Sequence, residues 1–181
     1  GREYNLCNSG MHTLDMLRLE KKFLHWGHDI TSENNPIEAG LKFAVNLNKK
    51  CNFIGRKSIE KIISQPLKRK LELFSLKKFK EPGNPLLMHD EPIFYKNEIV
   101  GYSTSSNYSF YYKKNIFLAY VKPDLNIINK LTIEVEGKKY ELYHEKECLY
   151  DPKGKILRNW DHFYLNTQNE PEKIDIIFFC G

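Results

Sequence analysis

No two of the four cysteines, Cys7, Cys51, Cys148 and Cys180, stand as a C-x-x-C pair. That argues against a zinc knuckle, and their wide separation does not suit a disulfide scaffold. Reduced thiols, in the cytosol or in an organellar matrix such as that of the mitochondrion, are the expectation. Glycine-rich phosphate loops are missing too: Gly101 and Gly137 stand alone. A complete dinucleotide-binding domain within these residues is therefore excluded. No G-x-S-x-G elbow surrounds Ser103, Ser105 and Ser106, so they read as turn-forming hydroxyls rather than nucleophiles. No apolar run approaches the roughly 20 residues that span a bilayer. The opening Gly1-Arg2-Glu3-Tyr4-Asn5 lacks the apolar stretch of a signal peptide. With no initiator Met, Gly1 reads as a scar of tag removal, and a piece of something longer is expected.

What is present suits a folded protein. Of 181 residues, 41% are apolar and 28% charged, which excludes disorder over most of the chain. Lys plus Arg number 28 and Asp plus Glu 23, so the net charge is 28 − 23 = +5. The densest basic stretch is Lys68-Arg69-Lys70, followed by Lys77-Lys78 and Lys80. A nucleic-acid surface can look like this, but a solvated strand face is the simpler reading. Neither nucleic acid nor a membrane is expected as a partner. A mildly basic face also suits an anionic small ligand.

Apolar spacing gives the elements. Met11, Leu14 and Leu17 recur at i, i+3, i+6, which predicts a helix over residues 11–22 with one well-buried side and Ser9 as its cap. Residues 41–47 alternate, with Leu41, Phe43, Val45 and Leu47 on one face, and read as a half-buried strand. Gly55 precedes a second helix over 56–65, with Ile59, Ile62 and Ile63 as its buried stripe and Pro66 ending it. After Pro66 the pattern turns to strands: 70–76, around Leu71 and Leu73, then 93–102, 116–121, 131–136 and 139–144. Glu136-Gly137-Lys138 is the clearest hairpin turn. Such strands suggest a small barrel or sandwich. Asp151-Pro152-Lys153-Gly154 reads as a turn and 174–179 as a last strand. The boundaries expected are thus 1–66, mixed helix and strand; 67–150, all-β; and 151–181, an irregular tail.

Two clusters could carry chemistry. His25-Trp26-Gly27-His28-Asp29 groups two histidines and an aspartate, but no third histidine is near in sequence. A tight Gly27 turn with Trp26 half buried is the main reading, and no metal is expected. Glu20 ends Leu17-Arg18-Leu19-Glu20, where a carboxylate opposes the helix dipole. Either it forms a salt bridge with Arg18, Lys21 or a neighbour, or it accepts two adjacent N–H donors from a planar ligand, such as the amino-pyrimidinone edge of a pterin.

Four ordered motifs carry a resemblance. Leu14-Asp15-Met16-Leu17-Arg18-Leu19-Glu20 resembles the A-L-D-x-L-R-L-E segment of the glycine cleavage T-protein (aminomethyltransferase) superfamily. Trp26-Gly27-His28-Asp29 resembles its W-G-x-D, Pro36-Ile37-Glu38-Ala39-Gly40-Leu41 its P-x-E-A-G-L, and Phe53-Ile54-Gly55-Arg56 its F-I-G-R/K. The stretches from Glu91 to Tyr95, Val100 to Ser105 and Ile116 to Tyr120 are similar to dimethylglycine oxidase and to the dimethylglycine and sarcosine dehydrogenases. So are Trp26 and Leu149-Tyr150-Asp151-Pro152. The resemblance runs from about Tyr4 to Arg158.

The resemblance implies an α+β fold: the C-terminal part of a folate-binding protein, a partial middle lobe followed by a small antiparallel β-barrel. It implies tetrahydrofolate, held with Glu20 on the pterin, Trp26 as an aromatic nearby and Lys49 as a basic residue close to the folate. Residues 1–181 hold neither the family's catalytic aspartate nor a flavin domain, so both, with FAD, are expected upstream in the parent. The reaction implied is transfer of a one-carbon unit from a methylated-amine iminium to tetrahydrofolate. A plain glycine-cleavage T protein remains open as parent. So does a folate-dependent assembly or regulatory protein without aminomethyl transfer. The isolated chain is expected to be inactive and to self-associate.

Overall fold

The computed structural model describes residues 8–79, 81–124 and 126–158. Cys7, Cys180, the tail from 159 and the strand expected over 174–179 lie outside them. The chain divides into two compact units, Gly1–Leu149 and Tyr150–Gly181.

Six strands of the first unit close into an antiparallel barrel in the order β1-β4-β3-β2-β5-β6. They are β1 (Lys70–Leu76), β2 (Pro92–Tyr95), β3 (Glu98–Ser109), β4 (Lys114–Val121), β5 (Leu131–Val135) and β6 (Lys138–Glu145). Alternation sends Phe74, Leu76, Ile93, Val100, Phe117, Ala119, Val121, Ile133, Val135 and Leu142 into the interior. The opposite faces of β1 and β4 carry Leu71, Leu73, Ile116, Leu118 and Tyr120, which pack under Leu19. So β1 and β4 are apolar on both faces, because one face fills the barrel and the other meets the helical segment. Leu71 and Leu73, the residues around which 70–76 alternates, lie on this outer layer.

The β5–β6 turn is Glu136-Gly137, both with positive φ (51° and 73°), as a two-residue hairpin requires. The strand expected over 93–102 is two strands. The chain turns at Lys96-Asn97, where Lys96 takes a φ of 56°, and no glycine or proline announces it. β3 then runs to Ser109, with a register shift between Ser103 and Ser105.

Helix α1 (Met11–Glu20) has Gly10 as its N-cap and no side-chain cap, so Ser9 does not cap it. It fully buries only Leu19 and Glu20, while Met11 is exposed and Leu14 and Leu17 are half-buried. Helix α2 (Arg56–Ile63) buries no residue. Its expected stripe is half-buried at Ile59 and Ile62 and exposed at Ile63. The strand expected over 41–47 is a single 3₁₀ turn, Lys42–Ala44, with Phe43 exposed. Its pattern suits a strand, but a closed barrel leaves no free edge to pair with.

In the second unit, Asp151-Pro152-Lys153-Gly154 is a turn. The Asp151 carboxylate accepts from the Lys155 N–H at 2.7 Å and starts the short helix Lys155–Arg158.

Candidate functional site

The end of α1 and the 25–30 turn meet on one strand, β3. At the end of α1, Leu19 enters the outer apolar layer, and its neighbours Arg18 and Glu20 carry the polar contacts. Arg18 Nε donates to Asp15 at 2.9 Å, Nη1 to Asp29 at 2.7 Å and to the Phe23 carbonyl at 3.3 Å, and Nη2 to Ser105 Oγ at 2.8 Å. Asp29 is only 1% exposed. It also accepts from the Thr104 hydroxyl at 2.6 Å and from the His25 N–H at 2.8 Å. Thr104 is the extra residue of the β3 bulge, and bulges of this kind re-aim a side chain. The network pins the end of α1 and the His25-to-Asp29 motif to the barrel. Asp29 is therefore a structural hub.

Glu20 is 3% exposed. Its Oε1 accepts a hydrogen bond from the Ser109 hydroxyl, and Ser109 Oγ accepts from the Tyr112 N–H at 3.1 Å. Its Oε2 takes no hydrogen bond from any described residue, and no ion pair joins Glu20 to Arg18 or Lys21. The salt bridge weighed for this carboxylate is absent among the described residues because Arg18 is spent on Asp15 and Asp29. Burial pushes the Glu20 carboxyl above its ordinary pKa, and the Ser109 hydrogen bond offsets part of that rise.

A raised carboxyl pKa means that the ionised form costs stability at neutral pH. The cost fades as pH falls through that raised value and is gone below the ordinary carboxylate range. Glu20→Gln is therefore expected to raise Tm by a few degrees at neutral pH, with the gain shrinking toward about pH 4. Thermal melts of the two proteins at both pH values check this; an equal gain at both would contradict it.

Trp26 is 66% exposed on the neighbouring turn, rather than half-buried as expected. The Gly27 N–H closes that turn on the Ile30 carbonyl at 2.8 Å. The His25 and His28 rings flank it, 4.7 Å apart, with His89 at 6.5 Å from His28. Lys49 is exposed, and its ammonium lies 4.9 Å from the Phe53 ring centroid. No hydrogen bond, ion pair or ring contact among the described residues joins Glu20, Trp26 and Lys49 to one another. Of the three hydroxyls that meet Arg18, Asp29 and Glu20, the sequence marks only Ser105, as a turn former, and gives Ser109 and Thr104 no signal of their own. Only the R-L-E and W-G-H-D motifs signalled that Arg18 and Asp29 matter. No group of three or more His, Cys, Asp and Glu among the described residues is placed to hold a metal ion.

The basic stretch is laced with carboxylates. Arg69 pairs with Glu38 at 3.2 Å, Lys70 with Glu72 at 2.5 Å, and Lys77 with Glu141 at 3.3 Å. A cleft of about 520 Å³ at one end of the barrel is lined by Lys70, Glu72, Asp124, Ile128, His144 and Lys146. Burial alone would raise the Glu72 pKa, but Lys70, Lys22 and His144 together hold it below the ordinary value.

Fold and site together describe a closed antiparallel barrel with a helical segment locked to its outer face by a buried ion pair. In fold alone the chain is similar to the crystal structure of glycine cleavage system aminomethyltransferase T from Bartonella henselae. The match has a TM-score of 0.64 at 24% identity and covers 75% of this chain and 37% of that one. Residues 1–49 match the GCVT N-terminal domain and residues 69–151 the glycine cleavage T-protein C-terminal barrel domain. The chain belongs to the glycine cleavage T-protein superfamily.

Its similarity to curated relatives reaches both branches of that family. It is 36% identical over 143 residues to mouse mitochondrial dimethylglycine dehydrogenase, covering 77% of this chain and 16% of that enzyme. It is 30% identical over 158 residues to the formaldehyde-forming 4-methylaminobutanoate oxidase of Paenarthrobacter nicotinovorans, covering 87% and 19%. It is 39% identical over 121 residues to the aminomethyltransferase of Symbiobacterium thermophilum, covering 67% and 31%. The chain thus spans less than a third of the length of each of these three. Among the described residues no helix is long and apolar enough to cross a membrane.

Proposed function

We propose that this chain is the tetrahydrofolate-binding C-terminal region of a longer enzyme. In that enzyme a one-carbon unit passes from a methylated-amine iminium to tetrahydrofolate. The observation that carries the reading is the buried Glu20 carboxylate at the end of R-L-E. It is fixed through Oε1, and its Oε2 takes no hydrogen bond from any described residue. Such a group suits the paired N–H donors of an amino-pyrimidinone edge, since charge-assisted pairs are the strong ones. Trp26 offers an exposed apolar ring beside it in sequence, and Lys49 a cation for the folate carboxylates. Tetrahydrofolate supplies the nucleophilic nitrogen that accepts the one-carbon unit, giving 5,10-methylenetetrahydrofolate.

The catalytic aspartate and any FAD belong in this reading to the N-terminal part of the parent. Nothing among residues 1–181 forms a glycine-rich loop that could cradle a flavin pyrophosphate. The same reading makes Pro66 the border between the partial middle lobe and the barrel. It assigns the parent to the cytosol or the mitochondrial matrix, and gives α1 and α2 apolar faces that the parent's N-terminal lobes cover.

The test is product analysis on the full-length parent. Supplied with dimethylglycine or sarcosine and tetrahydrofolate, it is expected to form 5,10-methylenetetrahydrofolate. The isolated chain is expected to show no flavin absorbance and no turnover. A parent that binds tetrahydrofolate but forms no such product from either amine is instead a plain glycine-cleavage T protein, which draws its aminomethyl group from another donor, or an assembly or regulatory protein. A yellow or active isolated chain contradicts the division of labour.

A further inference from the structure

We propose that Ser109 is a positioning residue for the pterin contact: its hydroxyl fixes Glu20 through one lone pair of Oε1 and leaves Oε2 and the second lone pair of Oε1 to the paired donors of the ligand. The proposal rests on the reading of Glu20 given above.

Ser109 is fully buried, at 0% exposure. It is the last residue of β3 and pairs with Lys114 across β4, so the barrel itself holds it in place. Its Oγ accepts the Tyr112 N–H at 3.1 Å. That backbone donor occupies a lone pair of the hydroxyl and turns its proton toward Glu20 Oε1. The result is a directed chain, from Tyr112 N–H to Ser109 O–H to the carboxylate.

Among the described residues no other hydrogen bond or ion pair reaches the Glu20 carboxylate. The charged groups nearest to it in sequence and across the strands have other partners, apart from His12 on its own helix and Lys113 in the β3–β4 turn, which form no ion pair with it. On its own helix, Arg18 holds Asp15 and Asp29. Just beyond the helix, Lys21 lies over the Phe23 ring at 5.9 Å and Lys22 reaches Glu72 at 3.6 Å. Lys114 on β4 pairs with Glu145 at 2.8 Å. The Tyr108 ring on β3 packs on Phe79 and Phe110, and Tyr120 on β4 lies against Tyr102 and Arg69. A carboxylate at the end of a helix, buried and without a cation, would otherwise favour the neutral form. Among the described residues the Ser109 hydrogen bond is the contact that favours the ionised form, in line with its lowering effect on the Glu20 pKa. Ser109 therefore sets both the direction in which the carboxylate points and the pH range over which it stays charged.

The experiment is a tetrahydrofolate titration of the full-length parent by anaerobic calorimetry between about pH 5 and 8. Wild type, Ser109→Ala, Ser109→Cys and Glu20→Gln are compared. Ser109→Ala is expected to weaken binding at neutral pH about tenfold, the loss of one hydrogen bond to a charged group. It should also move the acidic midpoint of binding to higher pH. Ser109→Cys keeps the volume but offers only a weak S–H donor. It should shift the midpoint in the same direction by less. Glu20→Gln should bind weakly and lose the acidic limb. A Ser109 that merely packs would lower Tm and leave the midpoint in place in both serine variants, and that result overturns the proposal. If Glu20→Gln binds like wild type, the reading of Glu20 itself fails. If Glu20→Gln is weak while both serine variants match wild type, only the role of Ser109 fails.

Discussion

Gly101→Ala is expected to destabilise the barrel severely, lowering its melting temperature by far more than a surface change would. Gly101 lies on β3 between two partners, opposite Ile93 on β2 and Val121 on β4. A Cβ there would stand 2.1 Å from the Tyr120 carbonyl oxygen, 2.9 Å from Val121 Cγ1 and 3.0 Å from Val121 Cα. Two of these three atoms are backbone, and both belong to the β4 segment that Gly101 pairs with. Relief means separating β3 from β4, and a closed barrel has no slack in which to do so. Overpacking of this severity costs about 4 kcal/mol or more, against a total stability of about 5–15 kcal/mol. Gly10→Ala is the matched control. Nothing lies within 4 Å of a Cβ at Gly10, so its melting curve should stay close to that of the wild type. Thermal melts followed by circular dichroism read both variants. A Gly101→Ala protein melting within a few degrees of the wild type would refute the close approach of the two strands.

Removing Asp29 should do comparable damage by a different route. Its carboxylate accepts from Arg18, Thr104 and the His25 N–H. Asp29→Ala takes the carboxylate acceptor from all three donors, and one of them is the guanidinium of Arg18, whose side chain is only 13% exposed and which keeps Asp15 as its remaining ion-pair partner. Breaking one partner of a buried ion pair costs about 3–5 kcal/mol. Replacing both partners by apolar side chains is far milder, since the uncompensated charge is gone. Arg18→Met combined with Asp29→Leu should therefore be more stable than the sum of the two single losses implies. Urea unfolding of the four proteins measures that coupling, expected at about 2 kcal/mol or more. Strict additivity would show that the network does not hold α1 to the barrel.

These two positions also show what the sequence could and could not reveal. Helix α1, strands β1 and β4 and the Glu136-Gly137 hairpin follow from local spacing, and local spacing is what periodicity reports. The 41–47 segment has the spacing of a strand and no sheet edge to join, which only the closed topology decides. The β2–β3 turn at Lys96-Asn97 hides inside one apolar run. The contacts that build the candidate site are long-range. Asp29 meets Thr104 and Glu20 meets Ser109 only because β3 bulges and then runs on to Ser109. Motif resemblance singled out Glu20, Trp26 and Lys49, and Asp29 only as part of W-G-H-D, but not the strand that meets Glu20 and Asp29. Spacing placed the main apolar line of α1 at Met11, Leu14 and Leu17, with Met16 and Leu19 widening it, and of these full burial falls on Leu19, together with Glu20.

The most direct measurement of the central claim is the tetrahydrofolate affinity of the full-length parent with and without the Glu20→Gln change. The carboxylate accepts both pterin donors only if it is charged, and Gln replaces one acceptor oxygen by a donor. A hydrogen-bonded charged contact contributes about 1.5–3 kcal/mol, so the account predicts affinity at least about tenfold weaker, in a protein no less stable than wild type. Unchanged affinity in a correctly folded Glu20→Gln parent would contradict it, and Glu20 would then be a buried structural carboxylate and nothing more.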